Sequence, residues 1–431
     1  MKNKAKLLAL IPIIFFSVSG GPYGLEEIVT SVGPINTLLL IVLLPIVWTI
    51  PESMIVAELS STYPLQGGYY KWVQMGLGRF WGFMEGWWSI LYTLIDLSLY
   101  PILFTTYLKL LFSDLNFLSI YLIQVAMIWL CALINILGIR IVGYFLTCFN
   151  VFILLFFTVF IICGLKHISF NFIPVLNFSS PPQINNLLFG LSLAFWNYIG
   201  WDNGSTVLEE VENPNVNYHK ALFITIPIIV FFYFFPTLVG LCIHTDWQNW
   251  KFGEFSHIAN SMNCPVLSVL ITIGGMLTCL GLFNSLLLSS SRVFSSMATD
   301  KLLPSFFSKM HSSFNTPYLA IAFSAVIFSL LVLLNFQNLV IYDVFLYLIA
   351  LLLEALALVS LRKQNTNIKT NFRIPFGNMG LYLIVGAACL VILFMLVLNL
   401  LNLSNSTHGT LFSILLIFSG VPFYLLFNRK N

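Results

Sequence analysis

The sequence predicts an all-α, polytopic membrane protein of about twelve transmembrane helices, and three observations carry that reading. Of 431 residues, 59% are hydrophobic and only 8% charged, whereas a soluble domain carries about 25% charged residues. Apolar runs long enough to cross a bilayer as helices recur along the whole chain. The basic residues divide very unevenly between alternate loops.

The runs fall near 7–32, 36–60, 80–110, 117–139, 142–164, 185–211, 220–243, 265–297, 317–334, 338–360, 379–402 and 409–427. The first follows Lys2, Lys4 and Lys6 and imitates a signal peptide. It leads straight into another apolar run without a polar mature start, so it reads as a retained helix. No loop is long enough to hold an extramembrane domain. With a cytoplasmic N-terminus, 16 of the 19 Lys and Arg residues fall inside, and only Lys109, Lys166 and Lys251 fall outside. A missed or invented helix would scramble that division, so it supports the count and puts both termini in the cytoplasm. The expected location is the plasma membrane, or the inner membrane of a bacterium. Asn402 and Asn405 stand in glycosylation triplets on the expected outer side.

Two spans contain residues that cannot sustain a helix. The first holds Ser17-Val18-Ser19-Gly20-Gly21-Pro22-Tyr23-Gly24 and the sixth holds Asn197-Tyr198-Ile199-Gly200-Trp201-Asp202-Asn203-Gly204-Ser205. Glycine is entropically costly in a helix, proline removes a donor and clashes, and Asp and Asn compete for backbone groups. A simple kink is the plain alternative for either span. Paired breaks at matching positions of two halves instead point to a solute site at the midplane. Leu25-Glu26-Glu27-Ile28-Val29 after the first break echoes Leu208-Glu209-Glu210-Val211-Glu212 after the second. The expected organisation is a five-plus-five inverted repeat: residues 1–164 (helices 1–5), residues 165–361 (helices 6–10), then residues 362–431 (helices 11–12).

Acidic residues inside a membrane are costly and functional by default. The spans hold Glu26, Glu27, Glu52, Glu58, Glu85, Asp96, Asp202, Glu209, Glu210, Asp343 and Glu354, while no Lys or Arg is expected deep in a span. Either protons or a bound cation must balance these carboxylates. Glu85, Ser89, Tyr92 and Asp96 form one stripe on the third span, and Asp343 and Glu354 are likewise eleven residues apart. Glu58, Glu209 and Glu212 read as solvated ends, and Glu85 as a gate or a helix-end charge. Glu27, Asp96 and Asp202 read as functional. Trp196 and Trp201 flank the second break, where they can close over a cation or serve as interfacial anchors. The seven scattered cysteines and six dispersed histidines form no metal or disulfide spacing. No metal, cofactor or nucleic-acid partner is expected.

These motifs resemble the amino acid–polyamine–organocation transporters, most closely their polyamine-uptake branch. The similarity lies in Val18-Ser19-Gly20-Gly21-Pro22-Tyr23-Gly24-Leu25-Glu26, in Glu85-Gly86-Trp87-Trp88 with Ile95-Asp96, and in Phe195-Trp196-Asn197 with Trp201-Asp202 and Glu210-Val211-Glu212-Asn213-Pro214. Gln66-Gly67-Gly68-Tyr69 resembles the amphipathic link between spans two and three, and Phe372-Arg373-Ile374-Pro375 the basic approach to span eleven. The resemblance implies a twelve-helix bundle with the solute held between broken helices 1 and 6 and helices 3 and 8, and uptake driven by protons. It implies that Gly20 and Gly21 present backbone amides, that Asp96 faces the cavity, and that Trp201 and Asp202 line the second break. Three departures stand near that cavity: Ile199-Gly200 replaces an Asn-Tyr pair, Ser89 replaces a lysine, and span five (143–164) has no lysine to carry a proton.

The expected function is a secondary transporter of an amino acid or polyamine. Its candidate solute-binding residues are Ser19, Gly20, Gly21, Glu27, Asp96, Trp196, Trp201 and Asp202. Its candidate proton-coupling residues are Glu27, Glu85, Asp96 and Glu210. An enzyme would need a convergent nucleophile, base or metal constellation, and none is found. A membrane-embedded sensor or a non-transporting subunit is the alternative; a sensor would be expected to carry a cytoplasmic domain.

Overall fold

Lipid offers backbone groups no hydrogen-bond partners, so a chain this apolar satisfies them within helices. The computed structural model describes residues 4–168, 184–333, 336–364, 370–404 and 407–428. Lys2, Lys369, Arg429 and Lys430, part of the basic asymmetry, lie outside the described residues, as does Asn405 of the glycosylation triplets.

The chain runs through α1 (Leu7–Val18), α2 (Glu26–Val32), α3 (Pro34–Thr62), α4 (Gly68–Leu77), α5 (Arg79–Leu111), α6 (Phe117–Ile136), α7 (Ile139–Leu165) and α8 (Ile184–Trp196). A 3₁₀ helix, α9 (Asn203–Glu210), follows, then α10 (Pro214–Ile243), α11 (Glu254–Ser261), α12 (Pro265–Thr299), α13 (Tyr318–Leu331), α14 (Phe336–Gln364), α15 (Gly377–Ser404) and α16 (Thr407–Asn428). Eight of the described helices are long and apolar enough to cross a membrane alone. The shorter apolar helices include α1, α8 and α13. The chain is a multi-pass membrane protein.

Both expected interruptions are present. The helix of the first span stops at Val18 and resumes at Glu26; that of the sixth stops at Trp196 and resumes as 3₁₀ turns at Asn203. α2 packs on α8, and α1 on α9, so the first half of each broken helix lies beside the second half of the other. Around them stand α5, α12 and α14, with α12 crossing α5 along much of its length. A third irregularity was not foreseen. Pro45 lacks an N–H, and α3 widens there into a π turn over Pro45–Thr49.

The amphipathic link is α4. Gly68 has φ +39°, and a Cβ there would meet Ser205 at 2.0 Å, so glycine lets α4 seat directly on α9. Tyr70 and Lys71 of α4 both bind Asp300 beyond α12, the Tyr70 hydroxyl at 2.6 Å. Burial, reinforced by that carboxylate, pushes the Tyr70 phenol well up. The N-terminal segment pairs with the chain after α9 in a short β-bridge: Ala5 N–H donates to the Glu210 carbonyl at 2.8 Å, and Glu212 N–H to the Ala5 carbonyl at 2.9 Å.

Arg292, seven residues from the end of α12, is fully buried, and Glu210 holds it with bonds of 2.8 and 3.1 Å. One sequence expectation is corrected. Glu58 is not solvated: it is 3% exposed and receives Arg362 at 2.6 and 2.5 Å and Ile374 N–H at 2.8 Å. Each burial is supported by a paired opposite charge.

Candidate functional site

The site grows from the place where the two breaks touch. Gly200 has φ +108°, and a Cβ on it would lie 2.1 Å from the Ser17 carbonyl oxygen. Only glycine allows the second break to abut the backbone of α1 so closely. The departure noted at Gly200 is therefore the point where the interruptions meet.

Each break accounts for its freed backbone groups differently. In the first, Ser19 Oγ accepts from Gly21 N–H at 3.0 Å, a Glu26 oxygen accepts from Gly24 N–H at 2.8 Å, and Thr278 donates to the Gly20 carbonyl at 2.6 Å. In the second, distant side chains supply the partners. Tyr233 donates to the Asn197 carbonyl at 2.9 Å, Tyr218 to the Trp201 carbonyl at 3.0 Å and Ser289 to the Asn203 carbonyl at 2.7 Å. Gly200 N–H donates to the Tyr347 hydroxyl at 2.8 Å. Irregular backbone at this depth persists because protein side chains replace the missing water.

Two small chambers lie beside the breaks. The first, about 40 Å³, is lined by Gly20, Tyr23, Tyr107, Trp196 and Thr278 among others. The second, about 20 Å³, is lined by Tyr92, Asp96, Trp196, Gly200, Asp343 and Tyr347 among others. Trp196 and Tyr100 border both and stack with centroids 6.3 Å apart and an interplanar angle of 16°. A water needs roughly 10–15 Å³, so these chambers hold a few waters at most. A solute of several heavy atoms requires the surrounding helices to part.

Asp96 is the centre of the second chamber. Tyr100 donates to its carboxylate, with its hydroxyl 3.0 Å from both oxygens, and Trp196 Nε1 donates to one of them at 3.2 Å. Asp343 faces it from α14 with one oxygen that no donor reaches among the described residues. Two adjacent carboxyl groups with no basic partner among the described residues make a chamber suited to a cation.

Of the sequence candidates, Gly20, Asp96 and Trp196 line the chambers. Ser19 and Gly21 are bonded to each other within the first break. Asp202 lies under the second chamber, tied to Tyr347. Trp201 points elsewhere: it is fully buried, its Nε1 donates to the Tyr198 carbonyl at 2.9 Å, and it lines neither chamber. Glu27 is half-buried and lines neither. Glu210 is committed to Arg292. Glu85, expected near a helix end, is 1% exposed.

Sequence reasoning passed over Glu26, whose second oxygen reaches Gly253 N–H at 3.3 Å and so links the first break to α11. It also passed over Tyr347. The signal was spacing: Tyr347 is four residues after Asp343 and seven before Glu354, on one helix face.

Comparison with known proteins decides the family. The model of the amino acid permease family matches residues 12–422. The chain belongs to the amino acid permease family. A "probable polyamine transporter" of Arabidopsis thaliana is 36% identical over 383 residues, covering 88% of this chain and 76% of that protein. A polyamine transporter of Oryza sativa subsp. japonica is 34% identical over 391 residues, covering 88% and 72%. A serine/threonine exchanger of Bacillus subtilis is 26% identical over 392 residues, covering 89% and 86%. This permease is therefore a transporter and not an enzyme, and the resemblance to the amino acid–polyamine–organocation transporters holds over nearly its whole length.

Proposed function

We propose that this permease carries a polyamine or similar cationic amine across the membrane by alternating access, with an ammonium group held by Asp96 and Asp343. The carrying observation is Asp96 itself, buried between the two breaks and given only neutral donors by Tyr100 and Trp196. An ammonium supplies the charge the chamber lacks and finds the faces of Trp196 and Tyr100 beside it. The naming of the plant relatives as polyamine transporters supports the same class. An amino acid is the second reading. Its amine would use Asp96 and its carboxylate the polar backbone at Gly20 and Gly21, and the Bacillus exchanger supports it.

Coupling to protons belongs to the same proposal. Of the four sequence candidates, Glu85 and Asp96 are buried with no basic partner among the described residues, whereas Glu210 binds Arg292 and Glu27 stands apart from the chambers. The inverted repeat of residues 1–164 and 165–361, followed by 362–431, is supported by the side-by-side packing of the broken halves. Cytoplasmic termini in a plasma or bacterial inner membrane are supported by the uneven basic residues.

The test is uptake of labelled putrescine, spermidine, arginine and serine into proteoliposomes, with and without a pH gradient. Saturable uptake of the polyamines, stimulated by an inward proton gradient, is expected. Uptake of serine alone would replace this reading with the amino acid one, and uptake of none would end both.

A further inference from the structure

We propose that Glu52, Glu85, Asp202 and Glu354 form a second cation subsite, which takes the far ammonium of a di- or polyamine whose near ammonium sits at Asp96. The inference rests on the amine-carrier reading above and adds where the rest of the solute goes.

The four carboxylates come from four elements: α3, α5, the second break and α14. Each is at most 3% exposed. Tyr347 donates to Asp202, and its hydroxyl stands 3.4 Å from a Glu52 oxygen. Glu354 faces Asp202 carboxyl to carboxyl, and Glu85 faces both. Among the described residues no donor bonds either oxygen of Glu85 or Glu354, or the second oxygen of Glu52. The buried guanidinium groups of Arg292 and Arg362 are already bound to Glu210 and Glu58. Four acids in one dry cluster cannot all stay charged without a countercharge.

An independent group points into the same space. The Tyr69 hydroxyl, on α4, is fully buried and has no hydrogen-bond partner among the described residues. It faces Tyr92, Ser89, Glu85 and Asp202. On the far side, Trp48, whose Nε1 has no partner among the described residues, lines a cavity of about 10 Å³ with Glu52 and Glu354, room for roughly one water. Among the described residues no three His, Cys, Asp or Glu side chains are placed to share a metal ion.

Continuity between the acid groups favours an elongated solute. Tyr347 lines the Asp96 chamber and reaches Asp202 with its hydroxyl. Its ring meets Tyr92 edge-on, with centroids 4.8 Å apart at 74°. From Asp96 inward the order is acids, two tyrosine rings, then acids again. A polyamine has the matching order of ammonium, methylenes and ammonium. Its methylenes would lie on the tyrosine rings, and its far ammonium would replace the Tyr347 hydroxyl as donor to Asp202.

The test is displacement of labelled putrescine from the purified full-length chain in lipid nanodiscs by butylamine, putrescine and spermidine. Losing a charge-assisted bond is worth about 10- to 100-fold in affinity. Wild-type protein should prefer putrescine and spermidine over butylamine by at least about that margin. Glu354→Gln should collapse the preference toward unity and leave butylamine affinity unchanged. The substitution keeps side-chain shape. Should it fail to fold, Tyr69→Phe, which removes only the orphan hydroxyl, should reduce the preference in part. An intact preference in the folded variants overturns the subsite, as does an altered pH profile of uptake with the preference unmoved, which makes the cluster a proton store. Absence of amine binding to wild type refutes the carrier reading itself.

Discussion

Two kinds of acid share this bundle. Glu58 and Glu210 are each clasped by an arginine through two bonds. Asp96, Asp343 and the cluster beneath Tyr347 have no basic partner among the described residues. The first kind is complete, and its charge is spent on joining helices. The second kind has no such partner, and a proton or a bound cation must balance it. Burial alone therefore does not mark a transport residue; on the function proposed above, burial without a countercharge does.

The comparison breaks most visibly at the paired acids. Arg362→Leu leaves Glu58 buried and uncompensated, and should destabilise the fold by about 3–5 kcal/mol. The thermal midpoint in detergent should fall sharply, and much of the loss should return in the Glu58→Leu/Arg362→Leu double variant. A double variant no better than the single would place Glu58 among the functional acids. Asp96→Asn should do the reverse: thermal stability stays close to wild type while uptake falls about 100-fold, the loss of one charge-assisted contact to solute. Smaller effects sharpen the picture within the chamber. Tyr100→Phe removes one donor to Asp96 and should raise the apparent KM about 3- to 10-fold. Trp201→Phe, changed outside both chambers, should leave KM within about twofold and act through stability alone. Last, Glu27→Gln should alter uptake less than Glu26→Gln, because only Glu26 joins the first break to α11. Equal losses in these two variants would return Glu27 to the site.

The membrane spans were legible because an apolar run of helix length has few other uses. The breaks were legible because Gly20, Gly21, Pro22 and Gly200 resist helix. The 3₁₀ winding of Asn203–Glu210 was not, since its residues carry no period that separates it from an α-helix end. Nor was the pairing of Glu58 with Arg362, which lie 304 positions apart and meet only once α3 and α14 have packed. Trp201 shows a further limit. Its place beside the break was readable, but its direction is set by Tyr198 and Tyr218, and no local pattern encodes that. Asp96 was readable on both grounds, by its position in mid-span and by its stripe with Glu85 and Tyr92.

The meeting of Gly200 with the Ser17 carbonyl has a mechanical consequence. No side chain cushions the two strands of backbone where they touch, so tilting one bent helix must drag the other. The carrier then has a single shared pivot in place of two independent joints, and a molecule that wedges either bend should stall the whole cycle.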